Sequence, residues 1–175
     1  MMTRREFIKV AGAGVLAVSC AGMLSGCDVV DSIKEALEDE GAARATISNV
    51  TFITDYAILN STDGFIRYST NFYVRNKNSD SVTIPKENIT GQICDLAENW
   101  YNMTYTGANI ELEGNSGKVE IKNFWLQTTG TVAENSSLRN YEYKKAIFTI
   151  KYNGKKAVFT DDNVNNTITP EVENA

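Results

Sequence analysis

The sequence predicts an all-β domain, an antiparallel β-sandwich of about seven strands. Three observations carry this. Residues 65–75 alternate without a break, with Ile66, Tyr68, Thr70, Phe72 and Val74 on one face and Arg67, Ser69, Asn71 and Arg75 on the other, the pattern of a strand with one buried side. Asn153-Gly154 sits between two alternating runs, the strongest short-range signal for a two-residue hairpin, because both turn positions require positive φ. Runs of β-branched and aromatic residues recur between Gly, Asn, Asp and Ser clusters, with almost no helical periodicity among them.

Taken in order, the first strand of the domain starts at Ala45, with Val50, Phe52, Tyr56 and Ile58 expected on its inner face and Thr51, Ile53 and Asp55 on the other. Ser61-Thr62-Asp63-Gly64 turns the chain into the 65–75 strand. After Asn76-Lys77-Asn78-Ser79-Asp80, Val82 and Ile84 begin a strand that Pro85 ends or pushes to an edge. Residues 89–96 fit either a strand or the start of a short helix. Trp100–Tyr105 alternates again. Ile110 and Leu112 lead into the turn Glu113-Gly114-Asn115-Ser116-Gly117, followed by a strand through Val119, Ile121 and Phe124-Trp125-Leu126. Residues 128–140 are polar and loop-like. In the last hairpin a two-residue loop pairs Tyr152 with Lys155, Ile150 with Ala157 and Phe148 with Phe159. Residues 161–175 read as a polar tail that frays.

Upstream of the domain the chain has a different character. Arg4, Arg5 and Lys9 precede a mildly apolar run from Val10 to Leu24 that contains three glycines. This is the layout of an export signal. A permanent membrane helix needs about 20 strongly apolar residues. Arg4-Arg5 with Phe7, Ile8 and Lys9 resembles the twin-arginine export signal. Leu24-Ser25-Gly26-Cys27 resembles the bacterial lipobox. That resemblance implies that the chain is cut before Cys27, removing residues 1–26 as a signal peptide, and that the Cys27 thiol carries diacylglycerol. The protein is then expected to be held in the bilayer outside the cytoplasm of a bacterium. Residues 28–44 carry six acids, with Val29, Val30, Ile33 and Leu37 at helical spacing, a capping box at Ser32-Ile33-Lys34-Glu35 and Gly41 as a stop. They are read as a short helical tether, which would reach roughly 55–60 Å if extended.

Composition narrows the function. Cleavage lowers the 17 basic and 22 acidic residues by three and one, to a net charge of −7, which disfavours nucleic acid as a partner because phosphate backbones are bound by clustered Lys and Arg. The sequence contains no histidine, which removes the Ser-His-Asp triad and histidine metal sites. Of three cysteines, Cys20 leaves with the signal and Cys27 is committed to lipid. Cys94 is left without an intramolecular partner, either as a small buried apolar residue or as a reactive thiol; the first is preferred because free Cys is among the most buried residue types.

Each candidate site has a plain structural alternative. Asp161-Asp162-Asn163 with Asn165 and Asn166 offers oxygen ligands suited to calcium, or a solvated turn. Phe65 and Tyr73 offer an aromatic platform for sugar or peptide, or are covered by a loop. Trp100 and Trp125 are read as core. Lys144-Lys145 and Lys155-Lys156 make a basic spot whose default is a protected sheet edge. Glu111 and Glu113 project from one strand face and could act as paired carboxylates, or simply meet solvent. No cofactor motif is present. Val74-Arg75-Asn76-Lys77-Asn78, Leu112-Glu113-Gly114-Asn115-Ser116-Gly117 and the terminal hairpin together resemble small bacterial lipoproteins with an immunoglobulin-like domain over residues 45–160. The expectation is therefore a lipid-anchored, non-enzymatic binding or interaction module for an unknown protein, small-molecule or glycan ligand. The alternatives are an accessory subunit of an exported redox or transport complex and a small Asp/Glu-dependent hydrolase.

Overall fold

The computed structural model describes residues 41–175; the signal, the lipobox with Cys27 and the body of the tether lie outside the described residues. Twelve strands follow in order: β1 (Ala43–Ile47), β2 (Val50–Thr62), β3 (Phe65–Asn76), β4 (Val82–Ile84), β5 (Ile89–Cys94), β6 (Trp100–Tyr105), β7 (Ile110–Leu112), β8 (Ser116–Glu120), β9 (Trp125–Thr128), β10 (Lys145–Tyr152), β11 (Lys155–Asp162) and β12 (Thr167–Asn174). The number exceeds the seven expected because the run from Ala45 divides at Ser48-Asn49 into β1 and β2, the run through Val119 and Leu126 divides into β8 and β9, and β12 is added beyond Thr160.

All recorded pairings are antiparallel. The main sheet has the order β1-β2-β3-β9-β6-β5-β10-β11-β12, with β8 adding to the end of β3, and β4 and β7 form a separate two-stranded ribbon. The sheet curls on itself until β1, at one edge, lies beside β11 and β12 at the other. The fold is thus all-β and intermediate between a sandwich and a barrel.

Three hairpins close through two-residue turns with both φ positive: Ser48-Asn49, Asp63-Gly64 and Asn153-Gly154. That twist matches the right-handed twist of the flanking strands. The β10–β11 register is the one expected, Phe148 opposite Phe159, Ile150 opposite Ala157 and Tyr152 opposite Lys155. The two phenylalanine rings stack at 4.8 Å. Phe148 also meets Tyr68, Phe72 and Phe124, so the interior is an aromatic cluster in which β3, β10, β11 and the residue just before β9 converge. On β3, Ile66, Tyr68, Thr70, Phe72 and Val74 are all buried, as the alternation predicts.

Several expectations are corrected. On β2, Val50 and Phe52 point inward but Tyr56 and Ile58 are exposed. The register shifts between Thr54 and Ala57, and this bulge changes which parity of residues faces the core. Leu59 is buried in place of Ile58. Of residues 89–96, Ile89–Cys94 form strand β5 and the rest begin the turn into β6. The segment after Thr160 does not fray: β11 continues to Asp162 and β12 pairs along it from Thr167 opposite Asp162 to Asn174 opposite Lys155. Its Thr, Ile and Val residues favour strand, Ile168 packs on the core, and Pro170 is tolerated because β12 is an edge strand.

Candidate functional site

The sheet's outer surface over β9, β6, β5 and β10 is where the sequence and the structure differ most. Alternation sends Tyr101, Met103 and Tyr105 of β6 inward and Trp100, Asn102 and Thr104 outward. On β9 it sends Leu126 and Thr128 inward and Trp125 and Gln127 outward. Trp100, expected in the core, is 47% exposed. Trp125, also expected there, is half-buried on the outer face, with the Arg67 guanidinium 5.1 Å from its ring centre.

The strand registers align these residues into rows. One row crosses β3, β9, β6, β5 and β10 through Arg67, Gln127, Thr104, Thr90 and Thr149. The next crosses β6, β5 and β10 through Asn102, Gln92 and Ile147. The Gln92 amide donates to Asn102 Oδ1 at 2.8 Å, and the Arg67 Nε donates to Gln127 Oε1 at 2.8 Å. Between the rows lies an open depression of about 390 Å³, lined by Thr90, Gly91, Gln92, Asn102, Thr104 and Thr149, among others. Its lining carries amides, hydroxyls and apolar atoms and no ionisable side chain. Gly91 keeps the strands close at this point, since a Cβ there would lie 2.8 Å from the Ile147 carbonyl oxygen and from a Leu126 methyl.

The other candidates do not assemble. Alternation at the end of β11 turns Asp161 into the interior, where it accepts from the Tyr68 and Tyr143 hydroxyls at 2.9 and 2.6 Å, and turns Asp162 outward. Asp162 accepts from the backbone of Val164 and Asn165, and the Asn165 N–H holds its carboxyl below the usual range. The Asn163 amide is spent on the Tyr143 carbonyl. The oxygens proposed for calcium thus diverge, and among the described residues no group of three or more His, Cys, Asp or Glu could hold a metal.

Phe65 and Tyr73 stand eight residues apart on β3, about 27 Å at strand rise. Tyr73 has the Lys118 ammonium over its ring, so the two make no common platform. Lys144 pairs with Glu98 and Lys156 with Glu173. Neither pair of lysines protects an edge, because β10 and β11 are both interior strands of the sheet. Glu111 lies opposite Thr83 on the β4–β7 ribbon, and Glu113 lies past the end of β7; both are exposed.

Cys94 is buried. Burial, then the neighbouring Asp95 charge, pushes its thiol up, which suits the inert, apolar role. Asp95 itself is buried. Burial alone would raise its carboxyl, but the Asn99 backbone and side chain and the Ser136 hydroxyl, the last at 2.9 Å, donate to it and hold it below the ordinary value. It ties the β5–β6 turn to the 133–137 loop as a structural anchor.

No protein-family model matches this chain, and no curated protein matches it significantly. The outer-face residues Gln92, Asn102 and Gln127 were not singled out from sequence. The usable signal was the repeated order Trp-x-Asn-x-Thr at 100–104 and Trp-x-Gln-x-Thr at 125–129, which places a tryptophan on the same parity as polar residues.

Proposed function

We propose that this protein is an exported bacterial lipoprotein whose β-domain serves as a non-enzymatic binding module at the outer surface of the membrane. The observation that carries the reading is the twin-arginine motif Arg4-Arg5-x-Phe7 placed in register with Leu24-Ser25-Gly26-Cys27. One feature directs export and the other supplies a thiol for lipid. Two or more acyl chains on Cys27 hold a protein stably where a single chain holds it only marginally. In this reading the helical tether is residues 28–42, because Ala43 and Arg44, expected in it, belong to strand β1, and the resemblance to small immunoglobulin-like lipoprotein domains rests on the motifs at 74–78 and 112–117 and on the terminal hairpin. The depression on the outer face of β5, β6 and β10, whose lining carries no ionisable side chain, supports a binding role over a catalytic one.

Metabolic labelling with radioactive palmitate tests it. The full chain is expected to take up label and to sediment with membranes, and Cys27→Ala is expected to lose both properties. Label retained by the Cys27→Ala protein would overturn the assignment.

A further inference from the structure

We propose that the outer face of β5, β6, β9 and β10 is a binding site for an uncharged oligosaccharide. The inference rests on the binding-module reading above and gives it a ligand and a place. It starts from the two tryptophans. Trp100 and Trp125 lie on the same outer face at opposite ends of the β6–β9 pair. The register sets Thr104 against Gln127, so Trp100 stands beyond Asn102 at one end and Trp125 beyond Gln127 at the other. The row of Trp125 lies opposite position 106, so about 20 Å of strand separates it from Trp100. The amide and hydroxyl groups lie between them. A linear, hydroxyl-rich ligand of several rings matches that layout. Aromatic rings offer flat apolar faces to the C–H side of a pyranose, and amides and hydroxyls both donate and accept, as sugar hydroxyls do.

Charge sharpens the choice. The whole chain carries a net charge of −5, yet the lining of the depression holds no ionisable group. Lys145 lies in the Trp100 row and Arg67 beside Trp125, both outside the depression; an anionic glycan or nucleic acid would need basic side chains along the lining itself, and a cationic peptide would be drawn to carboxylates. The Gln92–Asn102 hydrogen bond fixes both amides, on exposed side chains, before any ligand arrives. Preorganisation of this kind lowers the ordering cost of binding. Arg67 is occupied by Gln127 and by the Trp125 ring, so it positions that tryptophan.

The full-length chain, in a detergent without a sugar headgroup, is titrated with linear hexamers of glucose, mannose, xylose and N-acetylglucosamine, and tryptophan fluorescence and calorimetry follow binding. At least one hexamer is expected to bind and to shift the tryptophan emission. Trp100→Ala and the Gln92→Ala/Asn102→Ala pair are each expected to weaken binding by about tenfold or more, the size of one lost hydrogen bond or stacking contact. All these side chains are exposed, and unchanged circular dichroism and melting establish that the variants fold. Val172→Ala, exposed on the edge strand β12, two strands away from β10, is expected to leave binding unchanged. Failure of all four hexamers to bind overturns the proposal, as does binding indifferent to the face variants. A photo-crosslinker at position 92 that captures protein and no glycan also overturns it while leaving the binding-module reading intact. Loss of palmitate dependence on Cys27 strikes that reading alone.

Discussion

Gly114 has no room for a side chain. A Cβ there would lie 1.9 Å from the Ser79 carbonyl oxygen and 2.5 Å from its carbon. The reason is a polar knot that joins two turns distant in sequence. The buried Asn76 amide donates to the carbonyls of Asp80 and Glu113, the Asn76 N–H to the Ser116 hydroxyl, and the Asn115 N–H to the Asn78 carbonyl at 2.7 Å. Gly114→Ala must push the β7–β8 turn off this knot. It is expected to cost about 1–3 kcal/mol, as overpacking does, seen as a lower urea midpoint at unchanged slope; an unchanged midpoint would refute the account. Asp95 gives the second expectation at this scale. Its carboxyl is depressed in the folded state, so its contribution is fully present above the unfolded value of about 3.9 and is lost as pH falls through the lower folded value. Asp95→Asn is expected to cost about 1–3 kcal/mol at pH 7. The gap between wild type and variant in urea midpoint should close as pH drops below about 4. A gap that stays constant across that range would remove Asp95 from the acid limb.

Among the elements, strands whose pattern is local were legible and those set by tertiary context were not. The β10–β11 register followed from Asn153-Gly154 alone, because a two-residue turn leaves only one pairing. The β3 alternation was equally plain, since one face meets water and the other the aromatic cluster. The inner face of β2 was misread beyond Thr54 because a bulge adds a residue without any sequence mark such as glycine. β12 was missed because Asn, Asp and Pro outweighed Thr167, Ile168, Thr169 and Val172 in a reading that could not see β11 offering its edge. Trp100 and Trp125 were placed in the core by their size. Their parity with Asn102 and Gln127 pointed outward, and parity is the stronger physical constraint, since a strand cannot turn one side chain without turning its neighbours. The candidate site was therefore largely hidden, and the buried state of Cys94 was legible.

At the scale of the molecule, nine strands pair in one antiparallel path from β1 to β12. Nine strands are joined by eight antiparallel steps, and an even number of reversals leaves the first and last strands running the same way, so the seam where β1 lies beside β12 is a parallel one. The Ser48–Asn153 side-chain hydrogen bond, 2.6 Å long, ties the β1–β2 turn to the β10–β11 turn. Removing residues 167–175 takes away β12, uncovers the edge of β11 and withdraws Ile168 from the core. The truncated chain is expected to lose about 2 kcal/mol or more, from the burial of one large aliphatic side chain and its ladder, and to associate through the bared edge. Thermal melting and light scattering report the two effects, and a truncated protein that melts with the full chain and stays monomeric would show the seam to be dispensable. The direction of β1 has a mechanical consequence. The chain enters this strand at Ala43 and leaves it for β2 at the far pole, through Ser48-Asn49. Tension drawn through residue 43 along the strand axis acts lengthwise on the five β1–β2 residue pairs. They are strained together in shear, where a pull across the strands would part them one after another, and a domain hung by that strand yields late and abruptly.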